Sequence, residues 1–434
     1  MLTTGPLRPV VIRLALPAVA MMACHFSFNL IDSIWVGRLI GPAALAAVST
    51  AGFYIWVALS LGEMVEIGLI AVAARRHGEG HPDRAAAAAV AYALTAGLAV
   101  AIIGWSVAGA MFRLMRVPAE VATLGHTYLS TWLLGAPLVF GFFAIEATFR
   151  AAGDTRTPFL MLVCSVGVSI LLDPLLIMGL GPFPQLGVRG AALASVMVRG
   201  GGFVLGFGIA LRRGLLRTRA PDWRALPTII RVGAPLSLAG VLLSVIYMWL
   251  TRFTSRFGTP ALAALGVGHK MEGLGFIAIS GFALSASALV GQNLGAGQEA
   301  RAQQAVRLTV GYCLLVTVTT AVAFLLIPAR LVALFTSDSR VITDGVLYLR
   351  VISLAQIGQS FELILEGALA GAGYTFWPQI VSTTLTAMRI PFAAWWSRAI
   401  GLLGIWLALS VTAISRGVAM ILFWKGGRWR AVKV

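Results

Sequence analysis

Leu14-Ala-Leu-Pro-Ala-Val-Ala-Met-Met-Ala-Cys-His-Phe-Ser-Phe-Asn-Leu-Ile-Asp-Ser-Ile-Trp-Val-Gly37 is long and apolar enough to cross a bilayer, which takes roughly 20 residues at about 1.5 Å each. It carries an aspartate, Asp32, well inside the apolar run. At about 100° per residue, His25, Asn29 and Asp32 fall on one face, within a sector of about 60°. A carboxylate in a membrane helix costs at least about 2.5 kcal/mol on insertion scales, so Asp32 is expected to face a wet cavity or a partner. Pro17 stands near the other end, where it removes one backbone hydrogen bond and permits a bend. The stretch reads as a bendable membrane helix with a titratable polar stripe, a candidate gate.

The rest of the 434-residue chain repeats the apolar character: 59% of its residues are hydrophobic and 11% charged, against about 25% charged in a soluble domain. The expected class is an all-α, multi-pass membrane protein. The opening residues lack the charged region and cleavage site of a signal peptide, so the first span is expected to be retained. Twelve apolar runs follow one another, near 11–37, 47–73, 87–112, 121–149, 158–181, 187–211, 230–255, 262–290, 303–329, 341–368, 376–397 and 403–424.

The net charge of +17 would suggest nucleic acid in a soluble protein. Here the basic residues cluster in loops, and the positive-inside rule explains them without a nucleic-acid partner. With the N-terminus inside, about 19 loop Lys and Arg fall inside and about 9 outside. Both termini are therefore expected in the cytoplasm, in a bacterial inner membrane. Cys24, Cys164 and Cys313 lie within spans and have no metal or disulfide spacing.

The chain also repeats itself at close to half its length. Arg13-Leu-Ala-Leu-Pro17 aligns with Arg231-Val-Gly-Ala-Pro235, and Ala43-Ala-Leu-Ala-Ala47 with Pro260-Ala-Leu-Ala-Ala264. Gly80-His-Pro-Asp-Arg-Ala85 aligns with Gly297-Gln-Glu-Ala-Arg-Ala302, and Tyr128-Leu129 with Tyr348-Leu349. Glu146, Gly153, Thr155 and Pro158 fall on Glu366, Gly373, Thr375 and Pro378. Six spans per copy give both copies the same orientation, with an expected central cavity between two lobes. The expected lobes are 1–211 and 230–434, joined by a basic linker, 212–229.

The repeat sorts the intramembrane charges. Asp32 and Asp173 have no acidic counterpart in the other half, and neither do Glu63, Glu66 and Glu272. Ser165, Ser169 and Asp173 follow at i, i+4 and i+8, a polar stripe on one side of the fifth span. Pro174 disfavours helical geometry at Asp173, so the helix is expected to loosen there and free carbonyl oxygens. Carboxylates, hydroxyls and free carbonyls near the midplane suit a proton or Na⁺. Glu63 and Glu66 share one face; they line the cavity and favour cationic substrates, or they sit in a wet vestibule. Glu272, beside His269 and Lys270, is either part of a local Lys–Glu arrangement or part of the cavity, as Glu362 is also read to be. Glu146, Glu366, Arg199 and Arg416 occur in both halves and read as structural, with an intralobe Glu–Arg pair as one arrangement. Met21 packs in the core or offers an adaptable drug surface. No Gly-rich loop with Lys-Ser/Thr and no His-Glu-x-x-His is present, so no ATPase, metalloprotease or resident cofactor is expected.

Five stretches together resemble the multidrug and toxic-compound extrusion (MATE) family over nearly the full chain. They are Asp32-Ser-Ile-Trp-Val-Gly-Arg-Leu-Ile-Gly-Pro-Ala-Ala-Leu-Ala-Ala47, Arg150-Ala-Ala-Gly-Asp-Thr155, Leu171-Leu-Asp-Pro-Leu-Leu-Ile177, Gly187-Val-Arg-Gly-Ala-Ala-Leu-Ala194 and Val290-Gly-Gln-Asn-Leu-Gly-Ala-Gly297. The resemblance implies twelve helices in two six-helix lobes and an antiporter that exports cationic or amphipathic compounds in exchange for H⁺ or Na⁺. It implies that Asp32 and Asp173 match the two acids of the N-terminal lobe, that Tyr128 joins them, and that Pro17 is where the first helix bends. Ser169 and Ser195 stand where the family often has asparagine and threonine; both keep an oxygen. The second-half acids of one Na⁺-coupled branch are absent, with Gln359 near one position. These features point to the DNA-damage-inducible-like branch and to H⁺ over Na⁺ as the coupling ion; with the cavity between the lobes, a monomer in the lipid bilayer would suffice. A Na⁺-coupled antiporter and a lipid or polysaccharide flippase are the competing transporters; the flippase would need a strongly basic cavity. An intramembrane enzyme would need a nucleophile beside a base, and none is evident.

Overall fold

The computed structural model describes residues 6–78, 84–152, 154, 156–216 and 223–431. The Gly80–Ala85 repeat match, Gly153, Thr155 and part of the 212–229 linker fall wholly or partly outside these, and so do the side chains of Pro17, Met21, His25 and Asn29.

Every one of the twelve apolar runs is helical. The helices are α1 (Leu7–Leu39), α2 (Pro42–Gly78), α3 (Arg84–Met115), α4 (Ala119–Leu134), α5 (Ala136–Ala151), α6 (Arg156–Met178), α7 (Val188–Arg212), α8 (Leu226–Thr254), α9 (Thr259–Gly295), α10 (Glu299–Leu326), α11 (Pro328–Ala333), α12 (Ser339–Gly371), α13 (Phe376–Ala387), α14 (Arg389–Ile400) and α15 (Leu402–Lys425). In lipid every backbone N–H and C=O must find a partner within the protein, and a long uniformly apolar run, without the alternation of a barrel strand, does so as a helix. Among the described residues, eight helices are long and apolar enough to cross a bilayer alone, and α4 with α5 make a ninth as a pair bent by 54°. The polarity is reversed relative to a soluble protein: Ile102, Ile103, Trp105, Leu205, Leu315 and Leu326 are exposed, while Asp32, Ser169, Asp173, Glu146 and Glu362 are buried.

The chain forms two compact units, Phe28–Ala263 and Met1–Ser27 with Ala264–Val434. These limits differ from the lobes 1–211 and 230–434 read from the repeat, and close packing is the reason. Within the Phe28–Ala263 unit, α8 lies along α2: Tyr247 stacks on Phe53 at 5.1 Å, and a Cβ on Gly240 would strike the hydroxyl of Ser60. Within the other unit the first turns of α1 lie on α9, with a Cβ on Gly281 only 2.9 Å from the amide nitrogen of Val19. There Leu7 and Val11 join Leu289 and Ala305 in one buried cluster.

Proline has uneven consequences in the two copies. α6 runs unbroken through Pro174, so the helix does not part at Asp173 as the sequence suggested. What Pro174 removes is the donor for the Ile170 carbonyl one turn earlier. In the second copy the equivalent span does part, at Met388, between α13 and α14 and three residues before Pro391. α1 is likewise continuous across Pro17.

The bend between α4 and α5 has a steric cause. Pro137 stands in the first turn of α5, and Gly135 lets Val196 of α7 approach where a Cβ would collide. On the other side a Cβ on Gly97 of α3 would lie 2.6 Å from the Pro137 Cα.

Candidate functional site

Asp32 reaches the interior because α1 turns the face bearing it inward: Asp32 and Ser33 are buried, while Arg38, one to two turns later, is exposed. Its Oδ2 accepts a hydrogen bond from the phenol of Tyr128 on α4 at 2.7 Å. Tyr128 is itself buried, between Trp132 and Leu129 in the apolar cluster of this unit.

The stripe on α6 faces inward as the i, i+4, i+8 spacing requires, and Ser165, Ser169 and Asp173 are all buried. Ser169 donates to Asp173 Oδ2 at 3.1 Å. Asp173 Oδ1 is buried with no hydrogen-bond partner. Ser195 is buried on α7 one turn before Arg199. Arg199 lies within electrostatic reach of Asp32, Asp173, Tyr128 and Glu146, so one positive charge acts on both acids. Asp32 and Asp173 are also within reach of each other. The structure thus brings Asp32, Tyr128, Ser169 and Asp173 into one buried group within one unit and adds Arg199, which recurs as Arg416 and was sorted with the architecture for that reason.

A second polar group occupies the same unit. Arg150 Nη1 donates to Glu66 Oε1 at 2.5 Å, and its Nη2 stands 3.8 Å from Glu146 Oε1. Glu66, read as lining a cavity or vestibule, is therefore a buried ion-pair partner; Glu63 is half-buried one turn before it. Beyond the end of α5, Asp154 caps α6, accepting from the amides of Arg156 and Thr157 at 3.0 Å each. Arg213, at the end of α7, binds Asp154 Oδ2 at 2.6 Å. This pins two helix ends together outside the apolar spans. Desolvation, the largest single influence on Asp154, pushes its carboxyl up; the hydrogen bonds from Thr157, Arg213 and Arg156 together outweigh it and hold the carboxyl below its ordinary value.

In the other unit Glu272 accepts a hydrogen bond from the phenol of Tyr348, the repeat equivalent of Tyr128. Glu362, read as facing the cavity, is instead buried and held by Arg416 at 2.6 Å and Ser382 at 3.2 Å. The intralobe pair of Arg416 is with Glu362 and not, as the repeat suggested, with Glu366. Arg389, the first residue after the break in the eleventh span, donates Nε to Thr412 at 3.1 Å. Nothing in the sequence spacing singled out Arg150, Arg389 or Ser382; their partners lie 20 to 84 residues away.

Among the described residues no group of three or more His, Cys, Asp and Glu is arranged to hold a metal ion. The chemistry these carboxyls offer is proton exchange and the attraction of cations in a dry interior.

Comparison with known proteins agrees with this architecture. The family model MatE matches twice, at residues 17–175 and 235–395; the starts are 218 apart (235 less 17) and the ends 220 (395 less 175), the period of the repeat. A probable multidrug resistance protein NorM of Thermotoga maritima is 28% identical over 446 residues, covering 98% of this chain and 93% of that one. An FAD transporter of Shewanella oneidensis is 27% identical over 432 residues, covering 96% and 94%. In fold the chain is similar to a multidrug resistance MATE family transporter of the MOP superfamily solved in an inward-facing conformation, with a TM-score of 0.84, 23% identity, and 95% and 98% of the two chains covered. With a twelve-span helical fold, an internal repeat and a family model that matches both halves, the chain belongs to the MatE family, whose members are membrane transporters and not enzymes.

Proposed function

We propose that the protein is a secondary active antiporter of the bacterial inner membrane that exports organic cations or amphipathic compounds in exchange for H⁺. The observation that carries this is the buried group of Asp32 and Asp173, two acids on different helices within electrostatic reach of one another and of one guanidinium, Arg199. Two like charges so placed in a low dielectric are not both stable at once, and a proton relieves them. Protonation from outside rearranges α1 and α6 and releases the substrate; deprotonation inside restores the loading state. Tyr128 and Ser169 hold the two carboxylates in place for that exchange. Both termini lie in the cytoplasm, a monomer suffices, and the N-terminal acids set the branch within the family.

Multidrug names among the relatives support export of varied compounds, and the buried carboxyls favour cationic ones. The flavin-carrying relative makes an anionic substrate the alternative to exclude. Na⁺ coupling is a second reading, favoured by the Ser169 hydroxyl and the Ile170 carbonyl that Pro174 leaves without its donor.

The test is uptake of ethidium and of FAD into inverted vesicles, wild type beside Asp32→Asn, under a pH gradient and a Na⁺ gradient imposed separately. Ethidium movement driven by the pH gradient and abolished in Asp32→Asn is the expected result. Movement driven only by Na⁺ replaces the ion, and movement of FAD alone replaces the substrate.

A further inference from the structure

Five carboxyls stand in the interior of the Phe28–Ala263 unit: Asp32, Glu63, Glu66, Glu146 and Asp173. Among the described residues, two guanidiniums, Arg150 and Arg199, lie within electrostatic reach of the last three of them and of Asp32. At about 5 Å and an effective dielectric near 20, each like-charge pair costs roughly 3 kcal/mol. The five cannot all be ionised against two positive charges, and the proposed coupling acids account for only two of them.

Glu146 is the outlier. It is 1% exposed, and among the described residues neither of its carboxyl oxygens has a hydrogen-bond partner. The closest cation contact is Arg150 at 3.8 Å, and that guanidinium is already committed to Glu66 at 2.5 Å. The charged groups within reach of Glu146 are Glu66 from α2, Arg150 from its own α5 and Arg199 from α7. α3, α4 and α6 also pack on α5 and bring no charged group to Glu146 among the described residues. A buried carboxylate without donors is the costliest form of this side chain, whereas the acid carries its own O–H.

Position gives the site a direction. Arg150 is 21% exposed, Glu66 11% and Glu146 1%, so exposure falls from the end of α5 inward. Arg199 lies within electrostatic reach of Glu146 and of Asp32 and Asp173 alike.

We propose that Glu146, with Glu66 on Arg150, is a second proton-binding site of this unit, one that shares the charge of Arg199 with Asp32 and Asp173. Glu146 exchanges its proton by way of Glu66 with the end of α5, and its charge state sets how strongly Arg199 holds Asp32 and Asp173. The step moves one proton between carboxyls and needs no other reactant. The role in transport rests on the antiport reading above, but proton occupancy at Glu146 does not.

The experiment is a pH titration, by infrared difference spectroscopy, of the carbonyl stretch of protonated carboxyls in the full chain reconstituted in lipid. Wild type, Asp32→Asn, Glu146→Gln and Glu66→Gln are compared. The expected result is a protonated-carboxyl band that persists in Asp32→Asn, disappears in Glu146→Gln and titrates at a displaced midpoint in Glu66→Gln. A spectrum unchanged by Glu146→Gln overturns the site. Where Glu146→Gln is not recovered folded, an unmoved midpoint in Glu66→Gln overturns it equally. In the same liposomes Glu146→Gln is expected to slow pH-driven ethidium exchange roughly 10-fold, with recovery in Glu146→Asp. If wild type moves no ethidium under a pH or a Na⁺ gradient while the Glu146 band behaves as expected, the antiport reading falls and the proton site stands.

Discussion

Tyr128 donates its phenol hydrogen to Asp32 Oδ2 at 2.7 Å across 96 residues of sequence, and its repeat equivalent Tyr348 donates to Glu272. The two tyrosines are symmetric, but their carboxylates are not: Asp32 lies on the first helix of its half and Glu272 on the second helix of the other. The same phenol thus serves two different acids, and the asymmetry can be read functionally. A hydrogen bond to a charged group contributes about 1.5–3 kcal/mol. Tyr128→Phe is expected to cut ion-driven ethidium export about 10-fold. Tyr348→Phe is expected to leave export within about 3-fold and to lower thermal stability instead. Equal loss in both variants would place coupling in both halves.

Arg150 sits between two buried carboxyls, so its removal strands both. Breaking a buried pair from one side costs about 3–5 kcal/mol, and the partial exposure of this guanidinium places Arg150→Met near or below the low end. The expected outcome is a clear fall in melting temperature for the purified protein, with most of it regained in Arg150→Met/Glu66→Gln, where one of the stranded charges is gone. A double variant no more stable than the single one would show that Glu66 is not the group left in distress.

Much of this fold was legible before any coordinates. The twelve apolar runs are all helical because a run of roughly 20 apolar residues in a bilayer satisfies its own backbone only as a helix, whereas the other bilayer solution, a closed barrel, needs short alternating strands. The pairings were not legible, because a helix specifies its neighbours through side chains far away in sequence. Asp32 and Asp173 stood out as acids in apolar runs, yet nothing near Glu66 announced Arg150, 84 residues on. Symmetry misled where it was taken residue by residue. It matched Pro174 with Pro391, but α6 stays whole while the later span parts at Met388. It allowed a pair between Arg416 and Glu366, poorly matched in depth, whereas Glu362, one turn earlier, is the ion-pair partner. A repeat preserves the path of the chain more strictly than the contacts along it.

The bend between α4 and α5 depends on two small residues. Gly97 admits the Pro137 backbone, and Gly135 admits Val196. Backbone cannot swing aside as a long side chain can, so Gly97→Val forces α3 away from α5. Overpacking of this kind typically costs 1–3 kcal/mol, roughly. Gly97→Val is expected to lower the melting temperature more than Gly109→Val on the same helix, where a Cβ meets only the edge of His126 at 3.9 Å. Equal effects at the two positions would mean that the approach of α3 to Pro137 carries no special constraint.

Asp154 and Arg213 join the start of α6 to the end of α7 outside the apolar spans, and here the pH dependence has a definite sign. The hydrogen bonds that favour the ionised carboxylate hold it below its ordinary value. Its contribution to stability is therefore complete above the unfolded value, near 3.9, and is lost as pH falls through the lower folded value. Removing an Asp cap typically costs about 1 kcal/mol, and because both side chains are partly exposed the ion pair adds little to that. Asp154→Ala is expected to melt a few degrees below wild type at neutral pH and to converge on it at the acid end. Melting curves from about pH 7 down to about pH 3 check this directly. A constant gap across that range would mean that the capping geometry matters and the charge does not; a gap that widens toward acid would contradict the direction of the shift.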